Sequence, residues 1–77
     1  MQSAFVLFKT SPTHERDVYL ALSEMDAVQE THALYGEYDL IARIHAKDSN
    51  SLTKLLLSDL RSIAGVTETQ TLVAVDY

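Results

Sequence analysis

The residues of this 77-residue chain that can do chemistry are three histidines, eleven carboxylates and a scatter of hydroxyls. His14, His32 and His45 fall on one expected helix turn and two different expected strands. None stands in an HxH or HExxH spacing that would bring two rings onto one metal ion. Structural or interface roles are therefore expected for them, and no metal site. There is no cysteine and no G-x-S-x-G, so no activated nucleophile is visible. The serines stand at helix starts or on helix surfaces, where capping and solvation explain them. The carboxylates form no close pair of the kind a hydrolase uses, and the two isolated glycines make no phosphate-cradling loop. No enzyme and no cofactor are expected on this reading.

One stretch differs in kind. LYGEYDLIARI, Leu34 to Ile44, places tyrosines on either side of a Gly36-Glu37 pair and follows them with Asp39. A bent backbone there presents free N–H and C=O groups beside a carboxylate, a set that can hold the ammonium and carboxylate of a small ligand at a seam between subunits. The same residues can also simply build a turn. Cross-strand aromatics stabilise hairpins, and an aspartate commonly bonds nearby backbone N–H groups. The residue types alone leave both readings open.

Composition bounds what surrounds this stretch. At 77 residues the chain has room for one domain, which buries roughly 60–65% of its unfolded surface and is only marginally stable alone. With 47% apolar residues and no disulfides, self-association is the economical source of further burial. The net charge is −5, and Lys9, Arg16, Arg43, Lys47, Lys54 and Arg61 are scattered singly, unlike the concentrated positive face of a nucleic-acid binder. No apolar run approaches the roughly 20 residues that span a bilayer, and the N-terminus lacks the features of a signal peptide. A soluble, cytoplasmic protein that touches neither membrane nor nucleic acid is expected.

The elements that must position the turn follow from patterning. Ala4 to Lys9 (AFVLFK) reads as a strand buried on both faces. Ser11 as N-cap and Pro12 at the first helical position open a helix whose Val18, Ala21, Leu22 and Met25 stripe carries it to about Met25. Val28 to Tyr35 and Tyr38 to Lys47 read as strands joined by Gly36-Glu37 as a type II′ hairpin turn, a register that sets Glu30 opposite Arg43 and His32 opposite Ile41. Asp48, Ser49 and Asn50 cap a second helix with a Leu52, Leu55, Leu56, Leu60 and Ile63 stripe, closed by Gly65 in the left-handed conformation. Val66 to Val75 is the last strand.

A repeat supports the resulting β-α-β-β-α-β order. MDAVQETHAL and IAGVTETQTL share V-x-E-T-x-x-L at an offset of 38, which also places Ser11 on Ser49, Val18 on Leu56 and Leu22 on Leu60. Two equivalent halves with helices starting at equivalent places make an α+β, ferredoxin-like βαββαβ sandwich, a four-stranded antiparallel sheet with two helices on one face. The other face is left bare. Ala4, Val6 and Phe8 alternate with Phe5 and Leu7 on strand 1, and Val73 and Val75 with Leu72 and Ala74 on strand 4. A bare face this apolar is expected to be covered by sheet-to-sheet dimerisation.

From Tyr35 to Val75 the sequence resembles the C-terminal effector-binding module, called RAM, of the Lrp/AsnC transcription regulators. The hairpin signature G-[DEN]-Y-D is matched by Gly36, Glu37, Tyr38 and Asp39, and G-V-x-x-T-x-T by Gly65, Val66, Thr69 and Thr71. The resemblance covers the chain from Phe5 to Val75. It implies a domain that dimerises through its sheets, with dimers assembling into higher rings, commonly octamers, and an amino-acid effector bound between dimers near the glycine turn. It also implies Gly36, Glu37, Tyr38, Asp39, Thr69 and Thr71 as the ligand-binding residues. Full-length members add an N-terminal helix-turn-helix, whereas this chain looks like the stand-alone RAM proteins: one domain over residues 1–77, without the DNA-binding half. The implied function is amino-acid sensing that modulates transcription or amino acid metabolism, by co-assembly with full-length Lrp/AsnC regulators. Two other readings share the fold: a small dimeric α+β-barrel enzyme, monooxygenase-like, with His32, His45 or Tyr38 in a cleft, and an adaptor that only oligomerises.

Overall fold

The computed structural model describes residues 2–73 of the chain. Within them β1 spans Gln2–Thr10, α1 Glu15–Ser23, β2 Val28–Ala33, β3 Leu40–Ala46, α2 Ser49–Lys54 and β4 Val66–Val73, with a π-helical turn, Leu55–Asp59, continuing α2. The strands form one antiparallel sheet in the order β2-β3-β1-β4. Alternation along β1 and β3 turns Ala4, Val6, Phe8, Leu40, Ala42 and Ile44 to one face, where Val18 and Leu22 of α1 and Leu52, Leu55 and Leu60 close the core over them. This is the expected ferredoxin-like sandwich. No helix among the described residues is long and apolar enough to cross a membrane.

Among the described residues no element covers the opposite face. Phe5 is 37% exposed and Leu72 46%, while Leu7 and Ile41 are half-buried. Strand 1 is thus covered on one side only within a single chain, against the expectation of burial on both. Ala74 and Val75 lie outside the described residues.

The β2–β3 register is the expected one: Glu30 pairs with Arg43 and His32 with Ile41. The turn that closes it is not. Instead of a two-residue II′ hairpin, pairing stops at Ala33–Leu40, and residues 34–39 form a loop closed by Leu34 N–H donating to the Asp39 carbonyl at 2.9 Å. Tighter closure would forfeit the bonds Asp39 makes to β1, described below. Gly36 has φ +124°, and a Cβ added there would meet nothing within 4 Å, so backbone conformation rather than space selects glycine.

The entry to α1 also departs from expectation. Ser11 and Pro12 do not cap it; Ser11 to His14 form a β-turn, with His14 N–H donating to the Ser11 carbonyl at 3.0 Å and Pro12 at the position that favours its fixed φ. The helix starts at Glu15 and ends at Ser23, short of Met25. Thr13 is held at φ +117°, where a β-branched residue is strained. The helices therefore do not start at equivalent places. Asp48 does cap α2 as expected, its Oδ1 accepting from Ser51 N–H at 2.8 Å. The π-helical turn then rotates the leucine stripe, leaving Leu56 and Ile63 only partly buried and Leu57 61% exposed. The helical segment stops at Asp59, short of the expected Gly65 stop; Gly65, at φ +100°, instead sits in the Ile63–Val66 turn, where Val66 N–H donates to the Ile63 carbonyl at 3.2 Å. There space matters too: an added Cβ would sit 2.7 Å from the His14 Cβ. The repeat has a further counterpart on the bare face, where Glu30 pairs with Arg43 at 2.9 Å and Glu68 with Lys9 at 3.8 Å.

Candidate functional site

Asp39 is the most heavily engaged residue of the loop. Its Oδ2 accepts from Thr10 N–H at 2.8 Å and from Thr10 Oγ1 at 3.2 Å, and its own N–H donates to the Phe8 carbonyl at 2.9 Å. These bonds pin the loop to the end of β1. The carboxylate also lines two adjoining clefts. One, of about 450 Å³, is bounded by Glu15, Ala33, Leu34, Tyr35, Gly36 and Asp39. The other, of about 490 Å³, runs over the strained turn at Thr13 to Glu15 and Arg16. Glu15 and Asp39 border both, so this end of the molecule offers carboxylates beside bent backbone, chemistry suited to an ammonium group. The Tyr35 side chain projects fully into solvent at the loop tip.

Thr69 and Thr71 lie elsewhere. They oppose Phe8 and Val6 on β1, which turns them to the helix side of the sheet, on the β4 edge. With Thr53, Leu56, Leu57 and Arg61 they line a third cleft of about 330 Å³. A guanidinium beside two hydroxyls and exposed leucine methyls suits a carboxylate carrying an apolar substituent. The two motif-matched groups therefore line separate clefts within one chain: the Gly36 loop joins β2 to β3, and the threonines lie on the β4 edge. Glu37 and Tyr38 take a third direction, onto the bare face, where Lys9 Nζ is 3.7 Å from the Glu37 carboxylate and Tyr38 Oη donates to Gln70 Oε1 at 2.6 Å.

The histidines stand apart. His32 is 3.7 Å from Glu30, His45 Nδ1 shares a 3.0 Å hydrogen bond with Ser3 Oγ, and His14 sits beside Thr13 at the start of α1. Among the described residues no three side chains gather as metal ligands. Arg43 holds the Glu30 carboxyl below the usual carboxylate range, first through their hydrogen bond and then through charge. Sequence reasoning missed Glu15, Thr13 and Arg61, which line the clefts. Their only sequence signal was position: two within or just before a first helical turn, one at the end of the second helix.

Comparison with known proteins finds similarity along nearly the whole chain. The family model of the Lrp/AsnC ligand binding domain matches residues 3–76. A helix-turn-helix transcriptional regulator of Pyrococcus abyssi is 30% identical over 77 residues, covering 96% of this chain and 51% of its own length. The chain thus spans about half the length of the curated relatives it matches. A hypothetical protein of Pyrococcus horikoshii superposes with a TM-score of 0.91 at 31% identity, covering 100% of this chain and 93% of that one. A transcriptional regulator of Neisseria meningitidis, solved in complex with L-Met, shares the fold with a TM-score of 0.85 at 23% identity, covering 97% of this chain and 50% of its own.

Proposed function

This chain belongs to the Lrp/AsnC ligand-binding domain family, and on that premise we propose that it is a non-enzymatic, amino-acid-binding regulatory module. The observation that carries the reading is the family match along residues 3–76. The Pyrococcus abyssi relative is a transcriptional regulator, which supports control of transcription rather than catalysis. The L-Met complex of the Neisseria protein supports an amino acid as the ligand class. The module acts in the cytoplasm through co-assembly with full-length regulators.

Gly36, Glu37, Tyr38, Asp39, Thr69 and Thr71 are the proposed ligand-binding set. Each chain offers two part-sites in separate clefts, carboxylates beside Gly36 and a guanidinium with hydroxyls beside Thr69 and Thr71. Their chemistries match the two ends of an amino acid, so the site is completed between copies, with sheet-to-sheet dimers assembling into higher rings such as octamers. An amino acid bound across that seam favours the assembly that completes its site, because only that state makes both sets of contacts. Calorimetry against the common amino acids, with sedimentation velocity on the same samples, tests this. At least one amino acid is expected to bind and to shift the assembly. No binding and no shift for any of them would overturn the proposal.

A further inference from the structure

Tyr38 lies in the candidate stretch, yet neither cleft beside Asp39 includes it. Its half-buried side chain runs across the bare face of the sheet, and its hydroxyl donates to Gln70 Oε1 on β4 at 2.6 Å. In the sheet order β2-β3-β1-β4, that contact passes over the whole of β1. Adjacent strands lie about 4.8 Å apart, so the span from β3 to β4 is about 10 Å, which the tyrosine and the Gln70 side chain bridge together through their 2.6 Å hydrogen bond. Lys9 of β1 fills the space beneath: its Nζ lies 5.4 Å from the Tyr38 ring centroid and within 3.7–3.8 Å of the Glu37 and Glu68 carboxylates.

We infer that Tyr38 is a positioning residue, a strap that fixes the 34–39 loop to β4 and couples the Gly36 cleft to the Thr69–Thr71 edge. The loop is held on its helix side by Asp39 bonding Thr10 and Phe8, and on its bare side by Tyr38 and Glu37. Gln70 lies between Thr69 and Thr71, and its side chain points to the opposite face from theirs, because it pairs with Leu7 while they pair with Phe8 and Val6. Any displacement of Tyr38 therefore moves the backbone that carries both threonines. The two part-sites, separate in space, share one mechanical link, so Tyr38 acts on the Thr69–Thr71 part-site through Gln70. The link to ligand affinity rests on the amino-acid-binding reading above; the strap itself does not.

Amide hydrogen exchange tests the strap without any ligand. Tyr38→Phe, which keeps the ring and loses the hydroxyl, is expected to speed exchange about five-fold at Leu34 and Asp39, whose N–H groups hold the loop, and also at Glu68 and Leu72, which flank the threonines on β4, the change expected from losing one hydrogen bond of ordinary net strength. Gln70→Leu should do the same at both places, the double variant should add nothing further, and Gln70→Glu, which still accepts the phenol proton, should restore the parent rates. Effects confined to the mutated element, or additive effects of the two single variants, would overturn the inference. Affinity for an amino acid found to bind should fall in Gln70→Leu and be retained in Gln70→Glu. If no amino acid binds, the functional reading fails while the exchange result still decides the strap.

Discussion

At the scale of single residues, Asp39 carries two roles that different substitutions separate. Asp39→Ala removes the acceptor for Thr10 N–H and Oγ1, both part-buried, and leaves that backbone donor unpaired at a cost of about 1–3 kcal/mol. In a domain of this size such a loss lowers the melting temperature by roughly 4–8 °C per kcal/mol. Asp39→Asn keeps an oxygen acceptor and should retain most of that stability, yet lose the charge that suits an ammonium group. Thermal melts beside calorimetric titrations of both variants check the separation. Equal melting losses in the two would show that the charge, rather than the acceptor, holds the loop.

Among the elements, α2 carries a readable pH dependence. The Asp48 carboxyl lies below its ordinary range, chiefly because Ser51 N–H donates to it, with the Ser51 side chain and Asn50 N–H adding to the effect. A folded-state value depressed below the unfolded one contributes stability above the unfolded pKa, and that stability is lost as pH falls through the folded value. Asp48→Asn still caps a helix but does not titrate there. The parent should therefore lose stability relative to this variant on acidification from neutrality to below pH ~4, the ordinary aspartate range. Denaturant midpoints for the two at pH 7 and at pH 3 give the comparison. A constant gap between them would remove Asp48 from the acid response.

For the whole molecule the decisive feature is one covered and one uncovered sheet face. Phe5, Leu7, Ile41 and Leu72 share the uncovered side with the Glu30–Arg43 and Lys9–Glu68 pairs. Leu72 is 46% exposed, lies on an edge strand and faces Phe5 rather than a charge. Leu72→Glu should therefore fold and yet weaken sheet-to-sheet association, because it would bury an unpaired carboxylate at the seam. Sedimentation equilibrium of parent and variant measures it. An unchanged association constant would place the contact between copies on another surface.

Alternation and helical spacing are local, and they determined what local rules can determine: six elements in order, the alternation of Ala4, Val6 and Phe8 against Phe5 and Leu7, the β2–β3 register through Glu30 and Arg43, and the left-handed conformation of Gly65. The motif residues were legible for the same reason, since Gly36 to Asp39 and Thr69 to Thr71 are contiguous. What the sequence left open depends on partners distant along the chain. Asp39 opens the expected two-residue turn because Thr10 and Phe8 of β1 bind it there. Ser11 and Pro12 leave the helix because Ser11 N–H donates to the carbonyl of Gly65, at 2.8 Å. Only the tertiary structure decided that the two motif groups line separate clefts and that Tyr38 turns to the bare face toward Gln70. Sheet order, which no local pattern encodes, fixes which edge and which face each residue reaches.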